Sequence, residues 1–256
     1  MYHIIKYSLI FLTLSFITFT SCREDDLLEV APTTYTPIEK PEEFYTTDLN
    51  GIVIDDAGEI VANATIVIGE ETVSTNQFGL FSASNINAPS TGLYVKVLKD
   101  GYFTGGTHYF PNEPTTSTLE ITVLRKEQNS FDAIEGYEGE LAGGAKVIIP
   151  SSGVQRNGQD YNGTVNISSV WLNPEEEETF NTMPGALIAQ NQLGETQFLE
   201  TFGMIAVEMT DNLGQKLQLK EGSLAELTFP LSTNLQGSAP TTICLLYTSP
   251  SPRDRG

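Results

Sequence analysis

Apolar side chains recur at every second position of this chain in short runs, and turn residues close each run. Ala64, Ile66 and Ile68 alternate with Thr65 and Val67. Leu93, Val95 and Val97 alternate with Tyr94, Lys96 and Leu98, and Leu119, Ile121 and Val123 with Glu120, Thr122 and Leu124. A period of two places each set on one face of a pleated strand, and no stretch sustains the 3.6 period of a helix. Asp55-Asp-Ala-Gly58, after Gly51-Ile-Val-Ile, pairs an Asp that can bond back to the chain with a Gly free to take positive φ. The expectation is an all-β protein of short strands in sandwiches.

The two ends are expected to lie outside that fold. Met1 to Ser21 has a weakly basic start (His3, Lys6), an apolar run from Ser8 to Phe19 and small residues ahead of Cys22. The run is too short to cross a bilayer, and the layout is that of a cleaved export signal, residues 1–21. Phe19-Thr20-Ser21-Cys22 resembles a bacterial lipobox, which implies lipid attachment at Cys22. Arg23-Glu24-Asp25-Asp26 resembles the acidic tag that carries Bacteroidetes lipoproteins to the outer face of the outer membrane. Each buried CH₂ of an acyl chain contributes about 0.8 kcal/mol, so two or three chains would hold the protein firmly. Residues 22–47 are read as this lipidated start and a linker, in which Pro32, Pro37 and Pro41 block helix and favour an extended spacer. At the other end, Cys244-Leu-Leu-Tyr-Thr-Ser-Pro-Ser-Pro-Arg-Asp back-translates onto the end sequence and adapter of transposon-based DNA libraries. Residues 244–256 are therefore expected to be artefact, and the gene truncated after Ile243.

Residues 1–256 carry 33 acidic and 13 basic side chains. Without the two ends, 222 residues remain with a net charge of about −22. Such a charge repels nucleic acid and anionic lipid faces, and the length suits two domains of roughly 100 residues. Both cysteines fall in the ends, at 22 and 244, so no disulfide is expected.

In residues 48–126, Gly51-x-Val53, Asp55-x-x-Gly58, Ala64-x-Ile66, Thr75-x-x-x-Gly79-x-Phe81 and Lys99-Asp-Gly101-Tyr102 resemble the carboxypeptidase regulatory-like, transthyretin-like family. Ile60 stands where that family usually has proline. The resemblance implies a seven-strand β-sandwich with Phe81 and Tyr102 packed between the sheets and no catalytic residues of its own. Residues 130–243 read as a second β-rich module. Gly143-Gly-Ala-Lys-Val-Ile-Ile-Pro150, Trp171-Leu-Asn-Pro174, Met183-Pro-Gly185 and Phe202-Gly-Met204 resemble a module that follows such a sandwich in cartilage intermediate layer protein and in bacterial surface proteins. In those relatives another strand follows the equivalent of Pro230, so the module is expected to lack a strand and to be poorly stable alone. Ile205 to Met209 is expected to turn at Asp211-Asn-Leu-Gly214 into Leu217-Gln-Leu219, with Ala225 to Phe229 closing the hairpin. Val165 and Ile167 fall on one parity and Val170 and Leu172 on the other, which a bulge at Ser168-Ser169 would repair.

The search for catalysis is mostly negative. His108 is the only histidine after Cys22, which excludes a two-histidine zinc site, and the family name implies no peptidase activity. No Gly-x-Ser-x-Gly elbow, P-loop or Gly-x-Gly-x-x-Gly stretch occurs. His108 is expected in a loop. Asp55-Asp56 is expected to be a solvated turn rather than a Ca²⁺ site, since the full loop pattern of oxygen ligands is missing. Glu175 to Glu178 suits either a solvated loop or the first turn of a short helix. No metal, cofactor or catalytic residue is expected. Tyr94, Tyr102, Phe103, Tyr109 and Phe110 cluster in the first module; Tyr109 and Phe110 are the candidate ligand-facing aromatics, with core packing as the competing expectation.

The sequence thus points to a non-catalytic, lipid-anchored outer-membrane protein whose modules serve as a stalk, adhesion or binding scaffold. Its partners would be the membrane, through the N-terminal lipid, and a glycan or protein at the cell surface. The alternatives are a carbohydrate-binding component of a glycan-capture system and a non-catalytic part of a larger enzyme.

Overall fold

The computed structural model describes residues 43–111, 116–190 and 196–242, all within one compact unit. The protein is all-β; among the described residues the strands are joined by one short α-helix and one 3₁₀ turn, Ala142–Gly144. Seven strands form the first module: β1 (Phe44–Asp55), β2 (Thr65–Ile68), β3 (Glu71–Ser74), β4 (Leu80–Pro89), β5 (Leu93–Leu98), β6 (Gly105–Tyr109) and β7 (Thr116–Val123). They make two sheets, β4-β1-β7 and β3-β2-β5-β6. β1 runs antiparallel to β4 and parallel to β7. The alternating sets meet between the sheets, where Leu49, Val53, Ile66, Val95, Val97, Ile121 and Val123 are buried with Phe81. Thr75 is buried because it ties two loops: its hydroxyl donates to the Val61 carbonyl and accepts from the Ala64 N–H, both at 2.8 Å.

β1 opens at Phe44, inside the segment read as spacer, and its Thr47 is buried. β4 is an edge strand with an interrupted ladder. Thr47 faces Ile86 and Leu49 faces Ala83, so Ser84 and Asn85 together oppose Asp48. Asn85 takes φ +59 and its N–H donates to the Asp48 carboxylate at 2.9 Å. Such a bulge bends the edge and spoils it as a template for a further strand.

The second half contains β8 (Gln128–Asp132), β9 (Tyr137–Glu140), β10 (Lys146–Ile149), β11 (Val154–Arg156), β12 (Gln159–Asp160), β13 (Thr164–Leu172), α1 (Glu177–Thr182), β14 (Ile188–Gln190), β15 (Thr196–Phe198), β16 (Met204–Thr210), β17 (Gln218–Leu219) and β18 (Glu226–Thr228). Its sheets are β16-β13-β8, β18-β10-β9, β12-β11-β17 and the pair β14-β15. A separate core forms around Val147, Val154, Val165, Ile167, Met209 and Leu217.

Three expectations for this half are corrected. β13 has no bulge: its register with β16 runs unbroken from Asn166↔Thr210 to Leu172↔Met204. Its mixed parity arises because the strand is covered on both faces. Val165, Ile167 and Trp171 are buried on one side, and Ser168 and Leu172 on the other. The second side carries Glu208, opposite Ser168, whose carboxylate pairs with Lys126 at 2.8 Å at the end of the first module. The turn Asp211–Gly214 forms as expected, but β17 then leaves β16 and pairs with β11. β18 pairs with β10 and so closes a different sheet from the one anticipated.

α1 lies against β6 and β7. Glu177 and Glu178 occupy its first turn, where negative charge is favoured, while Glu175 stays in the preceding loop. Thr179 is buried and its hydroxyl donates to the Asn173 carbonyl at 2.6 Å, and the helix stops before Pro184.

Candidate functional site

The sequence singles out two neighbouring aromatics, and strand parity sends them in opposite directions. His108 and Tyr109 belong to β6 rather than a loop. Tyr109 points inward and is 8% exposed. Its hydroxyl lies 3.2 Å from the Thr47 Oγ1 of β1 and 3.1 Å from the Ser117 Oγ of β7, so it ties the two sheets together. It is a core residue, as the competing expectation has it. Phe110 turns outward, 48% exposed. Cys22 lies outside the described residues.

Phe110 ends a short row of rings. It stacks on His108 with centroids 5.8 Å apart and planes 20° apart, and His108 meets Tyr94 of β5 at 5.0 Å. Tyr94 and His108 face each other across the ladder. Gly106 makes the row possible: any side chain there would run into Tyr94, whose Cζ and Oη lie 2.7 Å from where a Cβ would be. Burial of the Tyr94 ring raises its hydroxyl pKa above the usual tyrosine value.

Beside this row, where α1 approaches β6 and β7, lies a cavity of about 190 Å³. Thr107, Glu120, Thr122, Phe180, Asn181 and Met183 line it, and the next loop brings Gly185 within reach of the His108 ring, 3.9 Å from its Cε1 to the glycine's Cβ position. Its walls are mostly polar. Among the described residues, the side chains of Thr107, Glu120, Thr122 and Asn181 make no hydrogen bond or ion pair. A larger, open groove of about 460 Å³ crosses the outer face of β4-β1-β7 over Asn50, Ile52, Leu80, Ser82 and Thr118. That groove is apolar.

The acidic turn is solvated from Asp56 onward, as expected, but Asp55 itself is not. Asp55 is 2% exposed. Its Oδ1 accepts the N–H groups of Ala57 and Glu59, each at 3.0 Å; its Oδ2 accepts the Tyr102 hydroxyl at 3.2 Å and Arg125 Nε at 2.7 Å. Burial raises the carboxyl pKa, but the Glu59 N–H, Arg125 and the Ala57 N–H outweigh it and hold it below the ordinary carboxylate value. With its lone pairs engaged by donors, this carboxylate is a structural anchor. Asp211 repeats the arrangement in the second half. It is 3% exposed, accepts the N–H groups of Leu213 and Gln215, and meets Arg156 Nη1 at 2.8 Å. Asn76 builds the same turn with an amide, accepting from Phe78 and Leu80. In all three turns the fourth residue is a glycine at positive φ: Gly58, Gly79 and Gly214. Among the described residues, no three His, Cys, Asp or Glu side chains are grouped to hold a metal ion.

No family model matches the chain, and no curated protein does. Solved structures give remote likenesses. Chlorocatechol 1,2-dioxygenase from Pseudomonas putida is 15% identical at a TM-score of 0.26, over 32% of this chain and 61% of that one. A candidate membrane-associated protein of unknown function from Bacteroides fragilis is 14% identical at 0.27, over 49% of this chain and 59% of that one. A candidate carbohydrate-binding protein from Bacteroides uniformis is 9% identical at 0.26, over 72% and 78%. The chain spans about three fifths of the dioxygenase it matches. At such scores these likenesses carry no argument about what this chain does.

Proposed function

We propose that the chain is a non-catalytic, lipid-anchored cell-surface protein whose two β modules act as a stalk or binding scaffold on the outer membrane. The observation that supports the scaffold is the coupling between the modules. Four residues, Leu124 to Glu127, separate β7 from β8. The Lys126–Glu208 ion pair clamps that junction, Lys126 lies 5.7 Å over the Phe103 ring, and α1 rests on β6 and β7. A junction that resists hinging is what a spacer needs to hold a binding face away from a membrane. Anchoring rests on the lipobox-like residues at Cys22 and the acidic tag after it.

The test is metabolic labelling with an alkyne fatty acid, followed by detergent-phase partition and protease treatment of intact cells. Label incorporation, detergent partition and surface cleavage are expected, with the first two lost in Cys22→Ser. A Cys22→Ser form that still partitions with detergent overturns the anchor. A second reading, a carbohydrate-binding component of a surface glycan-capture system, is favoured by the polar groups that converge beside Tyr94 and His108.

A further inference from the structure

Resting on that second reading, we infer that the cavity between α1 and the β6–β7 edge is a binding site for one neutral, polyhydroxylated ring, a single sugar unit of a glycan. Size is the first argument. About 190 Å³ is below the roughly 300–1,000 Å³ that holds drug-sized ligands, so one ring fits and an oligomer does not.

Chemistry is the second. Glu120 offers two acceptor oxygens, Asn181 a donor pair and an acceptor, and Thr107 and Thr122 hydroxyls that do either. They come from three elements: Thr107 from β6, Glu120 and Thr122 from β7, and Asn181 from α1. A hydroxylated ring presents alternating donors and acceptors around its rim and satisfies such a set. An anionic ligand would meet the Glu120 carboxylate with no Lys or Arg among the lining residues.

The third argument is the set of rings at the margin of this otherwise polar cavity. Phe180 and Met183 line the same cavity, and Tyr94 and His108 stand at its margin through Gly106 and Gly185. These surfaces suit the C–H face of a sugar. Phe110 sits one ring further out, beyond His108, and so lies outside the site.

The full chain, purified, should be titrated with a panel of neutral methyl glycosides by saturation-transfer NMR and calorimetry, alongside gel retardation by neutral polysaccharides. At least one glycoside is expected to bind, with weak, millimolar affinity typical of a single ring. Glu120→Ala and Asn181→Ala should each weaken it about tenfold or more, and Phe110→Ala should leave it unchanged. Glu120 and Asn181 are exposed, so both variants should keep the wild-type melting temperature. Polysaccharide retention that survives both substitutions overturns this site while leaving the glycan-capture reading intact. Loss on Phe110→Ala alone also overturns it. Neither glycoside binding nor retention overturns the site and that reading together.

Discussion

Asp55→Ala removes the acceptor on which four donors converge. Net hydrogen bonds to a charged group are worth about 1.5–3 kcal/mol each, but the sum is not all lost. Ala57 and Glu59 are exposed and their N–H groups recover water, as does Arg125, whose side chain is 47% exposed. The Tyr102 hydroxyl is left behind and the turn loses its internal brace. The expected cost is about 3 kcal/mol, the lower end of what breaking a buried charge pair costs. For a unit of this size that lowers the melting temperature by about 6–12 °C. Asp56→Ala, one residue on at an exposed position, should stay within about 0.5 kcal/mol of wild type. The pH dependence has a definite sign. The folded pKa of Asp55 is depressed below the unfolded value of about 3.9. Its contribution is therefore fully present above that value and is lost as pH falls through the folded pKa. Calorimetric melts from about pH 7 down to pH 2 should show the gap between wild type and Asp55→Ala hold at neutral pH and narrow below about pH 4. A neutral-pH gap smaller than about 2 °C, or one unchanged at the acid end, would refute the reasoning.

Tyr109→Phe deletes both inter-sheet hydroxyl contacts and should cost about 1–2 kcal/mol by chemical denaturation; a neutral result would mean the hydroxyl is not seated between Thr47 and Ser117. Ile167→Ala, at a fully buried position in the second core, should cost about 2–5 kcal/mol, whereas Leu213→Ser, 82% exposed, should be nearly silent in the same assay. Lys126→Ala should cost about 1–2 kcal/mol through the half-buried pair with Glu208 and the contact with Phe103. Hydrogen exchange should then quicken in α1 and β16; unchanged exchange there would mean that the clamp does not couple the modules.

Strand faces were legible where the signal was local. The alternation in β2, β5 and β7 placed Ile66, Val95, Val97 and Ile121 in the core, because neighbours along one strand suffice to set a face. What depended on distant partners was not legible. Asp55 read as a solvated turn because Tyr102 and Arg125, 47 and 70 residues away, supply the contacts that bury it. β13 read as bulged because a strand covered on both sides looks the same as one whose alternation has slipped. β6 read as a loop because its five residues begin with Gly105 and Gly106 and Pro111 follows closely, and with the strand missed, Tyr109 and Phe110 could not be assigned to opposite faces. The lining of the small cavity comes from β6, β7 and α1, and no local pattern marks that meeting.

The parallel pairing of β1 with β7 has a mechanical consequence. In the proposed lipid-anchored form, tension would enter the first module at Phe44 and leave at Val123, where the chain passes into the second half. The two strands lie side by side in register from Asp48↔Thr116 to Asp55↔Val123, and that tension drags them past each other lengthwise. Every rung of the ladder is then strained at once, instead of peeling open one after another. Rupture under force follows the rate of crossing the unfolding barrier, and shearing a whole ladder raises that barrier more than unzipping its end. With the proposed anchor, the first module would therefore resist extension along the direction in which it is loaded.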